Sequence, residues 1–68
     1  MSKARRTQLR LLEGHRVGIA LTDGSRIDDC QLVSCGRHHV RHLWLFTNGT
    51  DRFVPVTDIA DVWEVRAA

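Results

Sequence analysis

The sequence lacks most of what secretion, membrane insertion or catalysis would require. Its 68 residues include one proline and two cysteines, Cys30 and Cys35, too few for a disulfide framework. No run approaches the roughly 18 apolar residues of a membrane-spanning helix, and the basic start is followed by no apolar segment of signal-peptide length. The expectation is a cytoplasmic protein with both cysteines as thiols and no membrane partner. Also missing are a glycine-rich phosphate loop, a Ser-His-Asp arrangement with its supporting context, and an amphipathic helix long enough for a membrane surface. A chain this small buries only about 60% of its unfolded surface. That leaves no room for a second domain or a deep substrate cavity, so neither an enzyme nor a cofactor is expected.

What is present is an ordinary globular composition. A hydrophobic fraction of 43% and a charged fraction of 26% exclude wholesale disorder, collagen and coiled coil. The net charge of +2 hides an asymmetry: Lys3, Arg5, Arg6 and Arg10 fall in the first ten residues, which contain no acid, while the rest sets six arginines against eight acids. A basic arm therefore precedes a mildly acidic body. Residues 1–8 read as a partly frayed arm and helix start, because cations in a first turn oppose the helix dipole. Residues 9–66 read as a single small domain.

Along the chain, Lys3 to Glu13 has helical spacing, with Leu9, Leu11 and Leu12 as its apolar stripe and Gly14 as a left-handed cap. The period then becomes two. Val17, Ile19 and Leu21 alternate with smaller or polar residues, and Asp23-Gly24 supplies a tight turn. In the second strand, Arg26 to Ser34, the inward set runs Ile27, Cys30, Leu32. This slips by one residue at Asp28-Asp29, which predicts a bulge of the kind that bends a small sheet. A third strand, His39 to Thr47, sets Leu43 and Leu45 against His42, Trp44 and Phe46, and Asn48-Gly49 closes it as a hairpin. The fourth, Arg52 to Val56, contains Pro55, which belongs at a sheet edge or strand end. The fifth runs from Ile59 to Val65. The expected fold is mainly β, with an N-terminal helix and a five-stranded, bent antiparallel SH3-like barrel. Its predicted core is Val17, Ile19, Leu21, Ile27, Cys30, Leu32, Leu43, Leu45, Val54, Ile59, Val62 and Trp63, capped at one end by Leu9 and Leu12.

The run Leu11-Leu12-Glu13-Gly14-His15-Arg16-Val17-Gly18-Ile19-Ala20-Leu21-Thr22-Asp23-Gly24, with Leu32 eight residues on, resembles the first motif of the Sm-like proteins, and the likeness extends from Leu9 to Val65. The resemblance implies a small barrel of five bent strands behind a helix and a role in binding single-stranded RNA. In that family an Asp and an Asn before the third-strand apolar run hold the base, and His38 and His42 occupy those places here. Pro55 and Val56 stand where the family's second motif has Arg-Gly. Family rings pair the fourth strand of one subunit with the fifth of the next, so Pro55 implies a monomer or homodimer instead of a ring. The same layout, with Val40-Arg41-His42-Leu43-Trp44-Leu45 and Arg52-Phe53-Val54-Pro55-Val56, also resembles the Rho-binding antiterminators. That likeness implies a protein partner from the transcription machinery.

The densest candidate site is Arg37-His38-His39-Val40-Arg41-His42 beside Trp44 and Phe46. Clustered cations and rings combine phosphate attraction with base stacking. The competing reading is a solvated loop and strand start, with two rings drawn into the core. The candidate nucleic-acid contacts are Lys3, Arg5, Arg6, Arg10, Arg37, His38, His39, Arg41, His42 and Trp44. Cys30, Cys35, His38 and His42 are zinc-ligand types, but only Gly36 and Arg37 separate Cys35 from His38 where zinc fingers place about a dozen residues. No metal is expected. Asp28 and Asp29 have neither a nucleophile nor a cavity with them, and the bulge accounts for both.

Overall fold

The computed structural model describes residues 3–36 and 42–66. Helix α1 (Lys3–Leu12) is followed by strands β1 (Arg16–Leu21), β2 (Arg26–Ser34), β3 (His42–Thr47) and β4 (Thr50–Pro55), a single 3-10 turn at Val56–Asp58, and β5 (Ile59–Glu64). The strands form one antiparallel sheet in the order β4-β3-β2-β1-β5. The sheet is bent but open, with β4 and β5 as its two edges. The expected β2 has its predicted bounds, whereas residues 39–41 of the expected third strand lie outside the described residues.

Two turns hold the meander in register. Asn48 and Gly49 both have positive φ, at 52° and 75°, which is the two-residue hairpin geometry that Asn-Gly favours. They close the β3–β4 ladder at Thr47 and Thr50. Between β1 and β2, Gly24 takes φ 91°, and the Asp23 carboxylate accepts from both the hydroxyl and the backbone N–H of Ser25. Those hydrogen bonds hold the Asp23 carboxyl below its ordinary range, chiefly through the Ser25 hydroxyl.

The bulge predicted at Asp28-Asp29 is present. Val17 pairs with Cys30 and Ile19 with Ile27, so two residues of β2 face one of β1. Ile27 and Cys30 are three apart and would point to opposite faces of a regular strand. The extra residue turns both inward, where they are 7% and 3% exposed. The displaced carboxylates go to arginines: Asp29 takes a two-pronged bond from Arg16, and Asp28 pairs with Arg26 at 2.9 Å. A second register shift, between Leu32 and Ser34, bends β2 again where it passes from β1 to β3.

The core comprises Leu9, Val17, Ile19, Ile27, Cys30, Leu32, Leu43, Leu45, Val54, Val56 and Val62, with Leu12, Leu21, Cys35 and Ile59 packed against it. Leu21 and Ile59, expected in the core, are only partly buried against it, and two further residues differ outright. Val56, in the 3-10 turn, is buried, while Trp63 is only half-buried and does not belong to the core cluster. Val62 takes the inward position, so alternation sends its neighbour Trp63 to the opposite face. There Trp63 is paired across from Gly18 and lies so close that a Cβ on Gly18 would sit 2.3 Å from the indole. The Arg26 guanidinium lies 5.4 Å from the ring centroid.

Two measurements check this packing. Leu45, fully buried, should cost about 2–5 kcal/mol when replaced by alanine, read by chemical denaturation. Gly18→Ala should push the Trp63 ring away from β1, red-shifting and quenching its emission in a Trp44→Phe background where Trp63 is the only tryptophan.

Candidate nucleic-acid interface

The helix sorts its side chains by face. Leu9 enters the core at 1% exposure. On the flank beside it, Arg5 donates to the Ala60 carbonyl at 3.2 Å and approaches Asp61 at 3.8 Å, and Gln8 donates to the Val62 carbonyl at 3.2 Å. Lys3, Arg6, Thr7 and Arg10, at the i, i+3, i+4 and i+7 positions of one stripe, are exposed and line a shallow depression on the outer side.

Elsewhere in the body several cations are neutralised from within, although Arg52, exposed on β4, makes no ion pair among the described residues. Arg16 is held by Asp29, Arg26 by Asp28, and Arg66 reaches Glu64, which also meets His15 at 3.2 Å. Lys3, Arg6 and Arg10 make no ion pair among the described residues. The helix therefore carries a row of cations with no acid in its first turn. Of the four arm residues named from the sequence, three stand together and Arg5 is turned to β5.

The second part of the candidate site is on β3 and β4. His42, Trp44 and Phe46 are exposed on the outer face, with Leu43 and Leu45 inward. The rings are thus not drawn into the core. Trp44 stacks on Phe53 with centroids 5.9 Å apart and planes 27° apart, and its indole N–H donates to Asp51 at 2.9 Å. Phe53 is 60% exposed and was not among the expected site residues. The signal for it was present: a two-residue turn at Asn48-Gly49 pairs Thr47 with Thr50, and counting outward brings Trp44 opposite Phe53.

Arg37, His38, His39 and Arg41 lie outside the described residues. By sheet order the helix is tied to the β5 edge while the rings occupy the β3–β4 end. The helical cations and the aromatic pair thus belong to opposite edges of the open sheet.

The metal-ligand types are likewise dispersed. Cys30 is buried, with its thiol donating to the Val17 carbonyl at 3.5 Å, whereas His42 is on the exposed face of β3. Among the described residues no three His, Cys, Asp or Glu side chains gather closely enough to hold a metal ion. Neither Cys30 nor Cys35 is in a disulfide among the described residues. Burial pushes the Cys30 thiol up from its ordinary range, with the Asp29 charge adding to the effect. Among the described residues no helix is long and apolar enough to cross a membrane.

No protein-family model matches the chain, and neither a curated protein nor a solved structure matches it.

The contrast between the two thiols is testable. Cys35, half-buried, should react with a disulfide reagent in the native protein, while Cys30 should react only on unfolding. Equal native rates for both, resolved by mass spectrometry of the labelled peptides, would contradict the placement of Cys30.

Proposed function

We propose that this chain is a small RNA-binding module of the Sm-like type, without enzymatic activity, that acts in the cytoplasm in transcription or RNA regulation. The observation that supports it most is the row of Lys3, Arg6 and Arg10 on one face of α1, free of acids while Arg5, Arg16 and Arg26 are paired within the chain. Phosphate attraction of this kind is independent of sequence and scales with the number of cations engaged. The stacked Trp44 and Phe53, with Phe46 on the same face, offer surfaces for unstacked bases, which is how single strands are held. His42 adjoins Trp44 on this face, and Arg37, His38, His39 and Arg41 precede it directly in the chain.

The proposed assembly is a monomer or a homodimer. A head-to-tail ring would require β4 of one copy to pair with β5 of the next, and the outer side of β5 is already engaged by α1.

The test is the salt dependence of binding to a labelled single-stranded RNA of mixed sequence. For single strands the log–log slope is about 0.7 per neutralised phosphate. Replacing Lys3, Arg6 and Arg10 together by alanine should therefore flatten the slope by about 2 and weaken binding across all sequences alike. An affinity unchanged between low and physiological salt would overturn the reading. A partner recovered from host lysate that is a protein, survives nuclease and ignores the triple substitution would place the chain with the Rho-binding type of regulator instead.

A further inference from the structure

The two edges of the sheet are treated differently. On β5, the Val65 N–H bonds the Arg16 carbonyl at 2.9 Å, so by antiparallel alternation Val62 turns its backbone groups away from β1. Its carbonyl is taken by Gln8 and its N–H by the Asp61 carboxylate, and the Ala60 carbonyl is taken by Arg5. The middle of that edge, at Ala60 and Val62, is plugged by side chains.

On β4, Thr47 and Thr50 flank a two-residue turn and so form the hydrogen-bonded pair nearest it. Alternation from there points the backbone groups of Asp51, Phe53 and Pro55 away from β3. No side chain among the described residues caps them. Pro55 has no N–H to offer: on the free side this costs nothing within the sheet itself, and a strand added along this edge finds one donor fewer there.

We infer that β4 pairs antiparallel with β4 of a second copy about a two-fold axis at Phe53, producing a dimer whose aromatic ladder runs unbroken through Trp44, Phe53, the partner's Phe53 and the partner's Trp44. The occupant follows from three observations. With the middle of β5 plugged, the strand pairing open to two copies of this chain is β4 with β4, an isologous contact that closes on itself. Charge selects the register. A two-fold at Arg52 would set like charges directly opposite, which is destabilising. A two-fold at Phe53 sets Arg52 across from the partner's Val54 and Asp51 across from the partner's Pro55. In that register Phe53 exchanges both backbone bonds with the partner's Phe53, and each Asp51 N–H reaches a Pro55 carbonyl.

The third observation is area. Trp44, Phe46 and Phe53 are 39%, 43% and 60% exposed; at on the order of 200 Å² per aromatic residue this is about 300 Å² of uncovered ring surface per copy. That is as large as the main apolar patch of a typical monomer and below the ~800 Å² per partner of a standard interface. The dimer is therefore weak and concentration-dependent.

Sedimentation equilibrium of the full chain from micromolar to millimolar concentration should show monomer passing to dimer. Phe53→Lys, at an exposed site with a charge that blunts strand edges, should raise the dissociation constant about tenfold or more, the loss typical of an interface hot spot, without changing the far-ultraviolet circular dichroism. Phe53→Cys should form a disulfide-linked dimer under mild oxidation, because hydrogen-bonded antiparallel partners have Cα atoms about 5.5 Å apart. Phe46→Cys should not, since three interstrand spacings, about 14 Å, and a further offset of about four residues along the strands would separate the two copies. The cross-link reports the pairing even if Phe53→Lys fails to fold. A chain that stays monomeric at millimolar concentration overturns the inference. So does a dimer that survives Phe53→Lys or links through Phe46→Cys alone. Covering of this face only when single-stranded RNA or an extended peptide of another protein is added overturns it as well.

Discussion

The fold depends on β2 serving two neighbours with one set of side chains. This nine-residue strand pairs with β1 in its first half and β3 in its second, and a strictly alternating strand could not keep Ile27, Cys30 and Leu32 on one face. The extra residue at Asp28-Asp29 repairs the parity, and the shift before Ser34 bends the strand again. The bulge sends two carboxylates to solvent, where Arg16 and Arg26 meet them. It lies opposite Gly18, whose missing Cβ lets Trp63 rest on the sheet beneath Arg26. One extra residue thus determines the bend, the fate of two arginines and the seat of a tryptophan.

The same geometry apportions charge. Arginines that pair with acids inside the body have little left for a phosphate backbone, and the helix keeps its cations because its N-terminal turn has no acid. Arg5 is the exception, since it falls on the flank that meets β5 and bonds to that edge. Helix α1 therefore has three roles at once: Leu9 closes the core, Arg5 and Gln8 occupy an open strand edge, and the opposite stripe faces solvent with Lys3, Arg6 and Arg10. Covering one edge while leaving the other available is a common way for a small sheet to limit uncontrolled association.

Most of the fold was legible because it is locally encoded. Asp23-Gly24 and Asn48-Gly49 mark their turns by the backbone angles they tolerate, and the slip in the apolar pattern of β2 marks the bulge. The errors came where one local pattern admitted two outcomes. Trp63 is large and apolar, but Val62 had already taken the inward position beside it. Val56 follows a proline at the end of a strand, and only its turn shows that it is buried. Of the site, the cations of the arm and the exposure of Trp44 were readable. Phe53 was reachable by counting register through the hairpin, and the tie of Arg5 to β5 was not, because the two are more than fifty residues apart in sequence.

The elements, their turns, the position of the bulge and the concentration of cations at one end are encoded locally, since each depends on residues close together in the chain. Which cations remain unpaired, which strand edge is covered and which rings share a face follow from how the elements pack. Those outcomes depend on partners distant in sequence, and a side chain's charge or hydrophobicity does not specify what it will meet.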